Sequence, residues 1–436
     1  MPNCTADFIH FGHLGRRVIE ANFQGGAISS DGGLVLLRQL DQRIGLSKAV
    51  AQILGDPRDP GRITHTVHDL IAQRLYGLCC GYEDLNDHDR LRHDPLLQTA
   101  VGKVEPLASS PTFSRLENRA SRTDLLVLNQ VLVEQFIATY TQAPAELILD
   151  IDASDVPLHG DQEWAEFHGY YDHYCYLPLY VFCGQAMLCC LLRPSRIDGA
   201  HHAAAVIKLL VTRLRQVWPK TDFIVRGDSG FCRQLLIRWC ERNHVGYVIG
   251  VARNARLQKA VAGWEAELAE EYLKTLCKQR RIEEFRYAAD SWKGERRLVT
   301  RLEFGSQGRN PRFVVTNLAL PAQALYDKLY CLRGEAENRI KEVQLDLFGT
   351  RASCHAFLAN GFRLMLAALA YTLMQRLRTI ALVGTELANA QAATIRVKLL
   401  KIGAAIVRNS RRIRILLASH HPERELFLTA ARALAP

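Results

Sequence analysis

Two carboxylates one residue apart, Asp150 and Asp152, close the run Glu146-Leu-Ile-Leu-Asp-Ile-Asp152. Leu147 to Ile151 are apolar, partly β-branched, and long enough for a buried strand. On a strand, positions i and i+2 face the same side, so both acids project into one space. Buried acids are costly unless they are paired or meet a cation. Two like charges at one strand end therefore suggest a cation between or near them. The plainer alternative is one acid satisfied by hydrogen bonds and the other solvated in a loop. The pattern returns at Asp222-Phe-Ile-Val-Arg-Gly-Asp228, another apolar strand ending in an acid. A third acid, Glu337, falls in a late helical stretch that also holds Tyr330, Arg333 and Lys341. Three carboxylates on separate elements are hard oxygen ligands of the kind that hold Mg²⁺. They suit the clamping of attacking and leaving oxygens in a phosphoryl transfer. Spacings of 76 and 109 residues do not by themselves select these three from 45 acidic residues.

The elements that must position these acids read as follows. Residues 1–24 look extended or irregular. Ser29-Ser-Asp-Gly-Gly33 then opens a helix over 34–44, with Ser30 or Asp31 as N-cap. The phosphate-cradling GxGxxG and GKS/T patterns are absent there, which favours a plain capped turn. Helical patterns follow at 64–78 and 124–140. Between them Ser110-Pro111-Thr112 starts another helix, which carries Arg115 and Arg119 on one face. The acidic run 83–94 lacks the glycine and terminal Glu of an EF-hand and reads as a loop. After the strand that ends at Asp152 comes a ring-rich loop holding His159, Trp164, Phe167, His168, Tyr170, Tyr171, His173 and Tyr174. Its histidines are candidates for metal or proton-transfer groups, or are packed on the rings. Two β-rich runs, 174–182 and 186–192, flank Gly184 as a hairpin. A helix at 203–217, the Asp228 strand, a helix at 233–242 and a strand at 247–251 complete the series. Three meandering strands, helix, strand, helix, strand is the order of a ribonuclease-H-like α/β domain, a mixed sheet flanked by helices. Residues 254–320 interrupt it with a charged helix (258–278) and a small antiparallel sheet (281–287, 296–304, 312–316). A helix from 321 to about 347 then carries Glu337. The chain divides into a mostly helical N-terminal region (1–143), a ribonuclease-H-like core in two parts (144–254 and 321–384), an inserted helix and small antiparallel sheet (255–320), and a basic C-terminal region (385–436).

The bulk composition, 48% hydrophobic and 23% charged, is that of an ordinary globular protein. A net charge of +10 calls for an anionic partner. The excess is local: residues 351–436 hold 13 Lys and Arg against 3 Asp and Glu, while the first 350 residues hold 42 of each. A basic tail on a neutral body suits nucleic acid. Twelve cysteines with no CxxC pair suit free thiols in a reducing cytoplasm, not a disulfide framework or a structural zinc site. No signal peptide is visible, and the most apolar run, 364–374, is too short to span a bilayer and reads as a buried helix.

The joint order of several motifs resembles the DDE transposases of bacterial insertion sequences, more narrowly the family named for insertion sequence 1380 within the insertion-sequence-4 group. They are Ser29-Ser-Asp-Gly-Gly-Leu34, Ser110-Pro-Thr-Phe-Ser-Arg-Leu-Glu-Asn118, Asp150-Ile-Asp152 with His159-Gly160, Gly169-Tyr-Tyr171, Tyr174-Cys-Tyr-Leu-Pro178, Arg226-Gly-Asp-Ser-Gly-Phe231, Thr316-Asn317 and Tyr330-x-x-Arg333-x-x-x-Glu337-Asn338-x-Ile-Lys-Glu342. The resemblance implies a triad of Asp152, Asp228 and Glu337 that is both catalytic and metal-binding. It implies two Mg²⁺ ions, with Mn²⁺ as a substitute, and cleavage at terminal inverted repeats followed by transfer of 3′ ends into target DNA. Double-stranded DNA and a homodimer on DNA are the partners it implies, in the bacterial cytoplasm at the nucleoid, with no membrane. The group's Tyr-Arg-Glu-Lys signature maps onto Tyr330, Arg333 and Glu337. Its lysine would fall at Gln344, and Lys341, one helical turn after Glu337, is the substitute. Tyr330, Arg333 and Lys341 are thus assigned to DNA, although Arg333 also has the spacing of an ordinary intrahelical pair with Glu337. Ala153-Ser154 after Asp152 resembles the Asp-x-Ser/Thr of related transposases and favours it as the first ligand. Asp150 is the alternate or supports it from behind.

Outside the triad, Arg411, Arg412 and Arg414 lie in an alternating run with Asn409-Ser410 as the turn of a hairpin. Such a ribbon presents basic groups to a phosphate backbone, or else is a solvated edge that resists aggregation. Trp292, near the tip of the inserted sheet, is a candidate to stack on an unpaired base or to pack. The alternative activities are a ribonuclease-H-like endonuclease without strand transfer and a DNA-binding protein that has lost catalysis.

Overall fold

The computed structural model describes residues 8–435. The chain forms two compact units, Met1–Leu116 with Arg376–Pro436, and Glu117–Gln375. In the first, strands β1 (Ile9–Leu14) and β2 (Arg17–Ala21) make an exposed antiparallel ribbon where the sequence suggested extended or irregular chain. Gly12 and Gly15 in this ribbon are both at positive φ, and glycine meets that demand without strain. A two-residue strand, β3 (Ile28–Ser29), precedes the helix Leu34–Ile44.

That helix has Gly33 as its N-cap, with no side-chain cap. The two glycines before it serve close packing. Gly32 N–H donates to Ile402 O and Gly33 N–H to Leu400 O, and a Cβ on Gly33 would lie 2.0 Å from Leu399 O. Asp31 is buried instead of capping. Its carboxylate accepts from the Tyr82 hydroxyl at 2.7 Å and pairs with Lys401 Nζ at 2.7 Å, which ties both ends of the chain into this unit. Helices Leu46–Leu54, Val67–Cys79, His88–Leu91 and Pro95–Val101 follow. Thr66 and Asp69 form a reciprocal capping box at the buried helix Val67–Cys79. The acidic run is not all loop: it includes the helix His88–Leu91, and Asp94 caps the next helix.

The second unit begins with helix Arg122–Ile137, capped by Ser121 and Asp124. Strand β4 (Glu146–Ala153) carries Asp150 and Asp152. The ring-rich segment folds into a separate three-stranded sheet of β5 (Val156–Pro157), β6 (Glu166–His168) and β7 (His173–Tyr176). Residues 174–176 thus belong to that sheet. The hairpin around Gly184 is β8 (Leu179–Cys183) with β9 (Ala186–Leu191). Next come helix Ala203–Val217, β10 (Asp222–Gly227), helix Gln234–Arg242 and β11 (Gly246–Val251). Strands β4, β10 and β11 run parallel, β8 is antiparallel to β4, and β9 is antiparallel to β8. The spatial order β9-β8-β4-β10-β11 is ribonuclease-H-like.

The insertion consists of helix Ala255–Thr275 and strands β12 (Gln279–Tyr287), β13 (Arg296–Gly305), β14 (Gly308–Arg309) and β15 (Arg312–Thr316). It is not a separate small sheet. β15 pairs antiparallel with β11, extending the core to nine strands. Phe313 to Thr316 are buried on both faces, so β15 behaves as an interior strand and covers what would be an open edge at β11. One face of the sheet packs Leu147, Leu149, Val225 and Ile249 against the helices 203–217 and 234–242. The other face packs Ile224, Val248 and Val314 against Leu325, Tyr326 and Leu329.

The stretch bearing those last three residues is an irregular helix. A short α-turn, Ala322–Ala324, passes into a π-turn Leu325–Tyr330, a 3₁₀-turn Cys331–Arg333, α-helix Gly334–Lys341 and a second π-turn Glu342–Asp346. Helix Phe357–Ala381 contains the apolar run. By length and composition it could cross a membrane, but 89% of its most apolar window is buried inside the protein. The chain closes with β16 (Ala404–Arg408), β17 (Ile413–Leu417) and helix Arg424–Leu434, and β16 also pairs with β3. All eleven described cysteines are free thiols.

Candidate active site

The register of the parallel strands sets the site. Arg226 of β10 lies opposite Asp150 of β4, and Gly227 lies opposite Ile151. The next positions, Asp228 and Asp152, are therefore level with each other at the carboxyl ends of adjacent strands. Strand parity puts Asp150, Asp152, Arg226 and Asp228 on one face, the face covered by the irregular helix.

The two acids of β4 have different surroundings. Asp150 is buried and paired on both oxygens with Arg226: Nε donates to Oδ1, and Nη2 donates to Oδ2 at 2.7 Å. Arg226 Nη1 also donates to Leu329 O at 2.5 Å, which pins the irregular helix to the sheet. Asp152 is buried too, and accepts from its neighbour's amide, Ala153 N–H, at 2.8 Å and from Arg333 Nη1 at 3.4 Å. Burial pushes the Asp152 carboxyl up to about 7. Arg333 opposes that rise, and the charges of Asp228 and Glu337 add to it. Asp228 and Glu337 thus both lie within electrostatic reach of Asp152.

Asp228 caps the 3₁₀-turn Ser229–Phe231, its Oδ1 accepting from Gly230 N–H at 2.9 Å, and keeps its other oxygen free of that bond. Glu337 and Arg333 pair at 2.7 Å, four residues apart on the helix. Burial pulls the Arg333 guanidinium down, but Asp152, Glu337, Tyr330 and Asp228 together hold it above its ordinary value. Tyr330 lies beside this group over β11, where a Cβ on Gly250 would come 2.7 Å from the Tyr330 hydroxyl and 2.8 Å from Ser229 N. Glycine at 250 is what lets the helix approach so closely.

The other assigned residues lie as follows. Lys341 is exposed on the same helix. Gln344 is buried and donates to Asp155 O at 2.8 Å and to Ser154 Oγ at 3.2 Å, locking the segment after Asp152. Arg411, Arg412 and Arg414 are exposed on the β16–β17 hairpin in the other unit, and among the described residues no carboxylate pairs with them. The Asn409 side chain accepts from the Arg411 and Arg412 amides and closes that turn. Trp292 packs at 5.6 Å on Tyr287 and under the Arg296 guanidinium. His173 Nε2 lies 2.8 Å from Asp155 Oδ2. Sequence reasoning missed Arg226 as the partner of Asp150. The signal was present: Arg226 is two residues before Asp228, hence on its face, and one strand away from Asp150.

A strand-end pair of acids level across a ribonuclease-H-like sheet, with a third acid on a covering helix, is an arrangement that could serve phosphoryl transfer. The family described as "Transposase DDE domain group 1" matches residues 11–436, and the chain belongs to it. None of the curated proteins matches the chain. Among solved structures it is similar to a piggyBac transposase in a synaptic complex with hairpin DNA, at 11% identity over 85% of this chain and 79% of that one, with a TM-score of 0.41.

DDE transposases generally use divalent metals. Among the described residues no three His, Cys, Asp or Glu side chains are grouped tightly enough to ligate one ion, and Arg333 lies between Asp152 and Glu337. The donor set still fits a hard cation. It comprises three carboxylates, hard oxygen donors of the kind a divalent cation takes, and one of them, Asp152, has its carboxyl raised first by burial and then by the charges of Asp228 and Glu337.

Proposed function

We propose that the protein is the transposase of an insertion sequence, of the branch named for insertion sequence 1380, acting as a homodimer on double-stranded DNA in the bacterial cytoplasm. It cuts at the terminal inverted repeats of its element and joins the freed 3′ ends to target DNA. The observation that carries this reading is the convergence of Asp152, Asp228 and Glu337 around Arg333, within a chain that belongs to a DDE transposase family.

In this reading Asp152, Asp228 and Glu337 hold two Mg²⁺ ions. Bound there, the ions would polarise the scissile phosphate and activate the attacking water or 3′-hydroxyl. Arg333 exchanges its carboxylate partners for a phosphate oxygen, a bidentate contact that a guanidinium makes well. Tyr330, packed against the Asp228 turn, and Lys341, exposed one turn on, bear on the same strand of DNA. Asp150, neutralised by Arg226, fixes β4 and β10 in register so that Asp152 and Asp228 stay level.

The test is cleavage of a plasmid bearing the element's ends, with Mg²⁺ or Mn²⁺. Asp152→Asn, Asp228→Asn and Glu337→Gln should each slow cutting at least about 100-fold, which is about 2.7 kcal/mol of barrier, and leave DNA binding intact. Near-normal cutting by Asp228→Asn would sink the assignment. Cutting without joining of 3′ ends would leave an endonuclease.

A further inference from the structure

The ring-rich sheet beside the acids has no part in the function so far. Its register separates two faces. Phe167 pairs across from Tyr174, and both are exposed. His168 pairs with His173 and Glu166 with Cys175 on the opposite face. That second face looks toward the catalytic strand, since His173 Nε2 lies 2.8 Å from Asp155, three residues beyond Asp152. The turn joining β6 to β7 is closed by His168 O, which accepts from the Tyr171 and Asp172 amides, with Asp172 at φ 58°. It presents Tyr170 and Tyr171 as a perpendicular pair, ring centroids 5.0 Å apart. Tyr171 also packs at 5.1 Å on His168 and at 6.1 Å on His173. Burial raises its phenol, and the carboxylates of Asp155 and then Asp152 raise it further, so the ring lies within the field of the catalytic acid. Tyr170 is 85% exposed.

We propose that the Tyr170–Tyr171 corner is a stacking site for one unpaired base next to the scissile phosphate. The inference rests on the transposase reading and deepens it, because it assigns the neighbouring nucleotide a place. A strand whose phosphate reaches Asp152 carries its next base only a few ångströms further along the chain. The corner is linked to that strand end through His173, whose ring lies 6.1 Å from Tyr171 and whose Nε2 lies 2.8 Å from Asp155. Every base has a π-face, so such a site tolerates sequence and favours a splayed or single-stranded end over a paired one. The base of the sheet is anchored: the Tyr176 hydroxyl donates to Glu163 O at 2.6 Å, Ser195 Oγ donates to Glu166 O at 2.9 Å, and Phe357 packs on Trp164 and Tyr176. Tyr170 is therefore an exposed ring on a fixed mount.

The experiment uses duplex DNA from the element's end with a short unpaired flank carrying 2-aminopurine next to the cleavage position, and a blunt duplex of the same sequence. Wild-type protein should quench the fluorophore. Tyr170→Ala and Tyr171→Ala should abolish most of the quenching and weaken binding of the flanked duplex about 5- to 100-fold relative to the blunt one. Tyr171→Phe, which keeps the ring, should behave as wild type. Phe167→Ala and Tyr174→Ala, on the far face, should also quench normally. Full quenching by both alanine variants at the corner, or loss of quenching only at 167 and 174, would overturn the proposal. If Tyr171→Ala does not fold, the exposed Tyr170→Ala decides the matter. Wild-type protein that neither binds nor cuts the element's end would sink the transposase reading itself, a different result from normal cutting with an inert corner.

Discussion

Asp150 and Asp152 are two residues apart on one strand face, yet their partners differ. Asp150 has a bidentate guanidinium and no freedom, while Asp152 has one amide and an arginine at 3.4 Å. Removing one partner of a buried pair leaves the other charge uncompensated. Asp150→Asn should therefore destabilise the protein by about 3–5 kcal/mol in urea unfolding, through the stranded Arg226. Asp152→Asn removes a charge that burial and like-charged neighbours already disfavour. It should change stability by no more than about 1 kcal/mol while abolishing cutting. Equal unfolding costs at the two positions would contradict this division. The sequence placed both acids at a strand end, because an apolar β-branched run followed by polar residues is a local signal. It left open which was which, because the deciding residue, Arg226, is 76 positions away and meets Asp150 only through strand register.

At the scale of elements, a short helix of the first unit carries a side chain that is buried without charge. His88, on the short helix the sequence read as loop, has no exposed surface. Its Nδ1 lies 3.1 Å from Gln73 Nε2, and its ring is 4.3 Å from Phe113. Burial, aided by Arg74, pushes its pKa down to about 3. Between about pH 6.5 and 3 the unfolded chain therefore takes up a proton that the folded protein refuses. The stability contributed by neutral His88 is complete above about pH 6.5 and is lost as the pH falls, by up to about 1.4 kcal/mol per pH unit. The cost of His88→Asn, measured by urea unfolding, should accordingly shrink between about pH 7 and pH 5. A cost that stays constant would mean that His88 titrates normally. The Glu337 element tells a similar story of local pattern and tertiary override. Helical periodicity located it, but the π- and 3₁₀-turns on either side of Gly334–Lys341 reflect what the helix packs on. Gly250 lets Tyr330 come down onto β11, and Arg226 holds Leu329. Irregular turns of this kind recur at functional sites.

For the whole molecule, charge is the property that reaches furthest. The β16–β17 hairpin exposes Arg411, Arg412 and Arg414, whereas Arg408 at its base is committed to Gln98 and Thr99. Replacing the three exposed arginines together with alanine should weaken binding to terminal-repeat and random DNA alike. The slope of log K against log salt should become shallower by about 0.9 for each phosphate that is no longer neutralised. Loss of discrimination at unchanged non-specific affinity would assign base readout to the hairpin. No change in either would make it a solvated edge. Composition alone determined that the excess of positive charge is concentrated in residues 351–436, and the fold decided which of the arginines there are exposed. Local pattern likewise determined the strands of the core sheet, the helices Leu34–Ile44 and Ala203–Val217, and the order of a ribonuclease-H-like core, because alternation and capping act over a few residues. Tertiary structure alone decided that the inserted strands extend the main sheet, that the first and last parts of the chain make one unit, and that Arg333 joins Asp152 to Glu337. Each of these depends on edges, registers and charges brought together from positions far apart in the chain, and no local periodicity encodes which distant partner will close them.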